Sequence, residues 1–248
     1  MKNSNEHSLP ISILLHLLPG FLTGAVYYTL APSVRSQGFP TVMALILAGI
    51  LALIPFELGY LLFQKKKTGK PFFNGIVRYC HSISLWHYLV WAPAIFLASG
   101  LLFTLFNFSS DLLMSLFSWI PEYLHLEMGL DGGYSRESLL ITYGLFFIFL
   151  VVILPVTEEL YFRGYLLPRM PERLKGWTPL LHSALFALYH VWTPWLVVTR
   201  TVAVLPLIYG VQKKKNILIC GGTGLYIKSL ILSLIHISEP TRPLYISY

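Results

Sequence analysis

Three charged side chains, Glu158, Glu159 and Arg163, interrupt an otherwise apolar run, and His190 follows Phe186 by four residues in the next apolar stretch. A charge within or at the end of a membrane span is costly, so each needs a chemical or structural reason. Residues four apart share a helix face. Glu159 and Arg163 therefore meet, and Arg163 can neutralise and orient Glu159. Phe186 and His190 likewise share a face. Glu158 is rotated away from the braced pair and needs another partner. A carboxylate and an imidazole facing each other in a partly dry cavity can activate water, with Glu158 as general base and His190 holding or sharing the proton. The plainer alternative is an ion-pair cluster at a helix end, with Phe186 and His190 serving packing alone.

This geometry places a demand on the elements that carry it. His190 lies two to three turns into its span, so Glu158 must reach a similar depth. That requires the helix carrying the carboxylates to continue past Arg163, to about residue 167. The composition supports such spans. Of 248 residues, 55% are hydrophobic and 12% charged, with a mean hydropathy of +0.65. A soluble domain carries about a quarter charged residues. The pattern predicts an all-α polytopic membrane bundle of about six transmembrane helices, over residues 11–30, 41–63, 82–106, 138–160, from 177–181 to 193, and 195–211. Pro19-Gly20 is a candidate kink in the first, and Arg200 is an awkward charge in the last. His16 and Glu57 are expected to bond polar groups on neighbouring helices.

The net charge of +7 comes largely from clusters between spans: Lys65-Lys66-Lys67 with Lys70, then Arg169, Arg173 and Lys175, then Lys213-Lys214-Lys215. By the positive-inside rule all three fall on one side, which makes the chain a multi-pass cell-membrane protein with both termini cytoplasmic. The basic balance therefore orients helices in the lipid bilayer and implies no nucleic acid partner. The acidic stretch 107–137 is expected outside, with an amphipathic helix over 112–120 lying on the membrane and a turn at Asp131-Gly132-Gly133. Two cysteines, Cys80 and Cys220, give neither a disulfide framework nor a Cys-x-x-Cys metal pair.

Other hydrolytic signatures are missing. There is no His-Glu-x-x-His, no Gly-x-Ser-x-Gly and no Gly-x-Gly-Asp. Glu158-Glu159-x-x-x-Arg163 followed by Phe186-x-x-x-His190 resembles the first two motifs of the CPBP intramembrane proteases. That family includes the type II CAAX prenyl endopeptidases and the Abi proteins of bacteriocin processing or self-immunity. The resemblance implies that Glu158 activates water with His190 as its partner, that Glu159 and Arg163 support them, and that Phe186 packs beside the site where substrate binds. It implies a peptide or membrane-protein substrate, cut near the cytoplasmic face. The family is described as glutamate-dependent, and a divalent metal such as zinc has also been proposed for it; Glu and His are zinc ligands. The alternative from another functional class is a non-catalytic immunity or scaffolding membrane protein.

The family pattern continues with a histidine on a later span, followed four positions on by Asn or Asp, which stabilise the oxyanion. After Asn216 no such pair comes: His236 is followed at that spacing by Pro240. Residues 220–230 instead resemble an internal segment of tRNA dimethylallyltransferases, and 232–243 resemble a translated sequencing adapter. The expectation is a protease-like domain over 1–216, incomplete at its C-terminus, joined to a non-native tail over 217–248 by a chimeric gene model. A chain without its oxyanion histidine is expected to be inactive or nearly so.

Overall fold

A backbone surrounded by lipid must satisfy its own N–H and C=O groups, so long apolar runs fold as helices. The structure, a computed structural model, describes residues 6–73, 75–78, 85–130 and 132–214. The fold is all-α, with no strand among the described residues beyond an isolated bridge between Phe73 and Val77. The principal helices are α1 (Leu9–Ser36), α2 (Val42–Thr68), α3 (Leu85–Phe106), α4 (Phe108–Met114), α5 (Arg136–Arg169), α6 (Thr178–Leu188) and α7 (Val197–Lys214).

Helices α1, α2 and α5, and residues 89–106 of α3, are long and apolar enough to cross a membrane. Helix α6 has 11 residues, about 16 Å of rise against a hydrocarbon core of roughly 30 Å. The apolar part of α7 is also short, ending at Gly210. The six apolar segments thus become four full-length helices and two shorter ones. Pro19-Gly20 lies inside the continuous α1. The amphipathic helix expected over 112–120 forms only in part: 112–114 end α4, Ser115–Phe117 make a 3-10 turn and 118–120 are not helical, with Leu112, Leu116 and Trp119 exposed. Of the expected turn, Asp131 lies outside the described residues, while Gly132 and Gly133 take φ of 87° and 89°, open to glycine without strain. The tail at 217–248, with its resemblances, also lies outside them.

Proline shapes the two longest inner helices. Pro55 in α2 and Pro155 in α5 have no N–H to donate, and each ring crowds the carbonyl four residues back. In both helices a π-helical stretch lies just upstream, Gly49–Leu53 and Phe147–Ile153, widening the turn where the proline would collide. A further π-helical stretch, Glu159–Leu166, carries α5 past Arg163 into the final turn Leu167–Arg169. The continuation that the depth argument demanded is present.

One core joins α1, α2, α5 and α6 through Tyr27, Leu45, Leu53, Phe146, Phe162 and Tyr189. Helix α3 lies outside it, with Trp86, Leu97 and Leu101 turned outward, as a lipid-facing helix would have them. It packs on α7 through Ile95, Leu207 and Ile208. At one end of the bundle the His7 N–H donates to the Arg169 carbonyl at 2.9 Å, and the Arg78 N–H to the Gly164 carbonyl at 3.0 Å. At the other end Thr41 holds the 125–127 backbone: its hydroxyl donates to the His125 carbonyl at 2.8 Å and accepts from the Glu127 N–H at 2.6 Å. The close fit of α1 to the end of α6 depends on Gly20, where a Cβ would overlap the Tyr189 carbonyl.

Candidate active site

Helix α5 carries both carboxylates. Glu159 and Arg163 are each 1% exposed and meet at 3.5 Å. The contact is ionic and not hydrogen-bonded, since among the described residues neither Glu159 oxygen has a hydrogen-bond partner. The Arg163 guanidinium also lies 4.0 Å over the Phe186 ring. Phe186 therefore does more than pack: its π face holds the cation that holds Glu159.

Glu158 turns away from that brace, as helical spacing requires, but its partner differs from the expected one. Its Oε1 accepts a hydrogen bond from the Tyr189 hydroxyl at 2.8 Å. No ion pair within 4 Å joins it to His190. The reason is the end of α6 at Leu188, with Tyr189 as its C-cap, so His190 lies in the turn that follows. There His190 Nδ1 is 2.8 Å from the Phe186 carbonyl. A carbonyl only accepts, so Nδ1 carries the proton and Nε2 is the basic nitrogen. The His190 ring packs against Phe186, Tyr189 and Trp192.

Two charges complete the neighbourhood. Glu57 of α2 is fully buried, and among the described residues neither of its oxygens has a hydrogen-bond partner. Among the described residues its pairing with another helix is electrostatic and not a hydrogen bond: it stands within reach of Arg163, and of Glu158, on α5. Arg200 of α7 donates to the Thr193 hydroxyl at 2.8 Å and to the Thr193 carbonyl at 3.2 Å, within electrostatic reach of Glu158 and His190. Its place in an apolar helix thus has a reason: it ties α7 to the turn after His190. The signal for both was the same, an ionisable residue inside an apolar run. His16 bonds a neighbouring helix as expected, its Nε2 2.9 Å from His182 Nδ1.

Glu158 borders a small cavity of about 20 Å³ between α1, α2 and α5, lined by Thr23, Leu45, Gly49, Leu53, Leu150, Leu154, Pro155 and Trp192. A cavity of that size has room for one water molecule. Most of its wall is apolar. The Thr23 hydroxyl donates to the Pro19 carbonyl at 2.8 Å. Trp192 is 3% exposed, and its Nε1–H has no hydrogen-bond partner among the described residues. Depth follows from the helix. Glu158 precedes Arg169, the last residue of α5, by eleven residues, about 16 Å along the axis. The helix of 34 residues, about 51 Å long, is longer than a roughly 30 Å core, so Glu158 lies well inside the helix and not at its end.

Zinc in a protein site needs three or four converging ligands. Among the described residues no three His, Cys, Asp or Glu side chains are grouped to hold a metal ion. The two side chains best suited by type, Glu158 and His190, turn to Tyr189 and to the Phe186 carbonyl. The described residues do not fit a protein-ligated zinc.

Residues 140–223, about a third of the chain, match the family model described as type II CAAX prenyl endopeptidase Rce1-like. That match supports membership of the CPBP family. At the coarse level it supports a protease, and with the four long apolar helices it indicates a membrane protein. The matched stretch contains both CPBP-type motifs and most of α5, with α6 and α7. Its end at 223 lies beyond Asn216, the last residue assigned above to the protease-like domain. No curated protein and no solved structure matches the chain.

Proposed function

We propose that the chain is a membrane-embedded, glutamate-dependent endopeptidase of the CPBP type, multi-pass in the cell membrane with both termini cytoplasmic. The observation that carries this reading is the Glu158 carboxylate at the edge of a one-water cavity in an apolar wall. Glu158 takes a proton from that water as the oxygen attacks the scissile carbonyl, and later gives it to the leaving amine. His190, with Nε2 as its basic nitrogen, assists the proton's passage. Glu159, Arg163 and Phe186 keep the two motif helices in register. The substrate is a peptide or membrane protein that enters from the cytoplasmic side or laterally. The match to a CAAX prenyl endopeptidase family makes a farnesylated CAAX peptide the first to try.

The test is cleavage in proteoliposomes of that peptide and of an unprenylated transmembrane peptide. The residual rate is the turnover that exceeds protein-free liposomes. Glu158→Gln should reduce the residual rate to background without changing expression. A residual rate that survives Glu158→Gln defeats the assignment. Loss of phenotype with Arg163→Ala but not with Glu158→Gln points to the immunity or scaffolding role.

A further inference from the structure

Arg169 ends α5 and is 8% exposed. A nearly buried charge needs an opposite charge close by. Its guanidinium lies 3.9 Å over the Tyr165 ring, and Nη1 donates to the Tyr165 carbonyl at 2.8 Å. Those contacts orient the cation without neutralising it. Among the described residues no carboxylate oxygen comes within 4 Å of Arg169 or of Arg78. The acids closest in sequence to this junction, Glu6 and Glu172, meet each other, with the Glu172 N–H 3.4 Å from Glu6 Oε2.

The neighbours of Arg169 add to its charge. Arg78 is pinned to α5 by its N–H bond to the Gly164 carbonyl and lies within electrostatic reach of Arg169. Its side chain makes no hydrogen bond or ion pair among the described residues. His7 donates its backbone N–H to the Arg169 carbonyl, and its Nδ1 is buried with no hydrogen-bond partner among the described residues. The other Arg169 N–H groups are neither bonded among the described residues nor shut away from solvent, so they open on the surface. Two guanidiniums held together by backbone bonds repel each other unless an anion lies between them.

Position selects the anion. Helix α5, about 51 Å long, exceeds a hydrocarbon core of roughly 30 Å by about 20 Å. Centred in a bilayer, it carries Arg169 about 10 Å past the core, to the level of the headgroups. Helix α2 runs back to the same end and closes with Lys65, Lys66 and Lys67, which attract anionic lipid towards it. A guanidinium fork matches two phosphate oxygens.

We propose that Arg169 and Arg78 form a binding site for the phosphate of an anionic phospholipid. The phosphate bridges the two guanidiniums and fastens the start of α1 and the segment bearing Arg78 to the end of α5. The site is independent of what Glu158 does.

The test titrates the full chain, in a neutral maltoside detergent, with dioctanoyl phosphatidylglycerol, dioctanoyl phosphatidylcholine and inorganic phosphate. Native mass spectrometry measures bound lipid, and thermal unfolding is recorded alongside. Phosphatidylglycerol should bind at least about 10-fold more tightly than phosphatidylcholine and raise the unfolding temperature. Arg78→Gln should weaken phosphatidylglycerol binding by about 10-fold. It should leave the lipid-free protein as stable as wild type, since the side chain it removes bonds nothing in the fold. Arg169→Gln should lose as much, and Arg169→Lys, which keeps the charge without the fork, should recover part of it. Lys66→Gln removes an equal charge from an exposed position at the same end and should change binding by less than about 2-fold. Equal losses for Lys66→Gln and Arg78→Gln would mean a diffuse positive field and overturn the site. So would equal binding of the two lipids, or unchanged binding in Arg78→Gln and Arg169→Gln. Inorganic phosphate that displaces the lipid at the lipid's own concentration would make this a free-phosphate site and overturn the lipid assignment.

Discussion

Replacing Arg163 by Met isolates the brace from the chemistry. Arg163 and Glu159 are both buried, 3.5 Å apart. At an effective dielectric of about 20, unit charges at that distance attract by roughly 5 kcal/mol. Removing one member of a buried pair costs about 3–5 kcal/mol, because the other is left charged and unpaired. Loss of the guanidinium contact with the Phe186 ring, 4.0 Å away, adds about 1–2 kcal/mol. Much of this belongs to the abandoned carboxylate and not to the arginine. The double variant Arg163→Met with Glu159→Gln should therefore recover most of the loss, ending within about 2 kcal/mol of wild type. Unfolding by SDS titration in mixed micelles measures all three proteins, and added salt should leave the difference unchanged because the pair is buried. A single-variant loss below about 1 kcal/mol, or a double variant no better than the single, would refute the reasoning.

Two further outcomes follow from contacts elsewhere. Gly20→Ala places a Cβ against the Tyr189 carbonyl and should destabilise by about 1–3 kcal/mol. Gly59→Ala, with nothing within 4 Å of the new atom, should be neutral or stabilising by up to about 1 kcal/mol; equal effects in thermal unfolding would remove the α1–α6 contact from the account. His7, ahead of α1, is held down to about 4 by burial and by the nearby Arg169 charge, against an ordinary 6.5. The folded state then binds fewer protons than the unfolded one between these values. The stability linked to His7 is full above pH 6.5 and is lost as pH falls from 6.5 towards 4. Histidine NMR titration should find the depressed value, and Arg169→Gln should raise it; a His7 titrating near 6.5 contradicts the docking of this segment.

What could be read in the sequence was whatever depends on a helix's own periodicity. Glu159 meets Arg163 because they lie four apart on one helix, and no neighbour is needed to say so. The long apolar helices are legible for the same reason. The partner of Glu158 was not, because the periodic argument extended α6 through His190, while the helix ends at Leu188. One turn lost at a helix end rotates every later side chain, and Tyr189 takes the place assigned to His190. Glu57 and Arg200 could be marked as costly from sequence, but which helices they face is set by packing between segments far apart in the chain. Trp192 gave no signal, since an indole in an apolar stretch ordinarily reads as core.

On the proposed endopeptidase reading, the position of Glu158, eleven residues inside the end of α5, constrains what can be cut. A transmembrane substrate arrives as a helix whose amides are already bonded to one another. To present a carbonyl about 16 Å below the helix end, it must first unwind there, and each backbone group set free in lipid costs several kcal/mol. A segment with glycine or proline near the cleavage point has given up part of that bonding already. Selectivity would then lie less in the side chains flanking the scissile bond than in how easily the substrate's own helix comes apart.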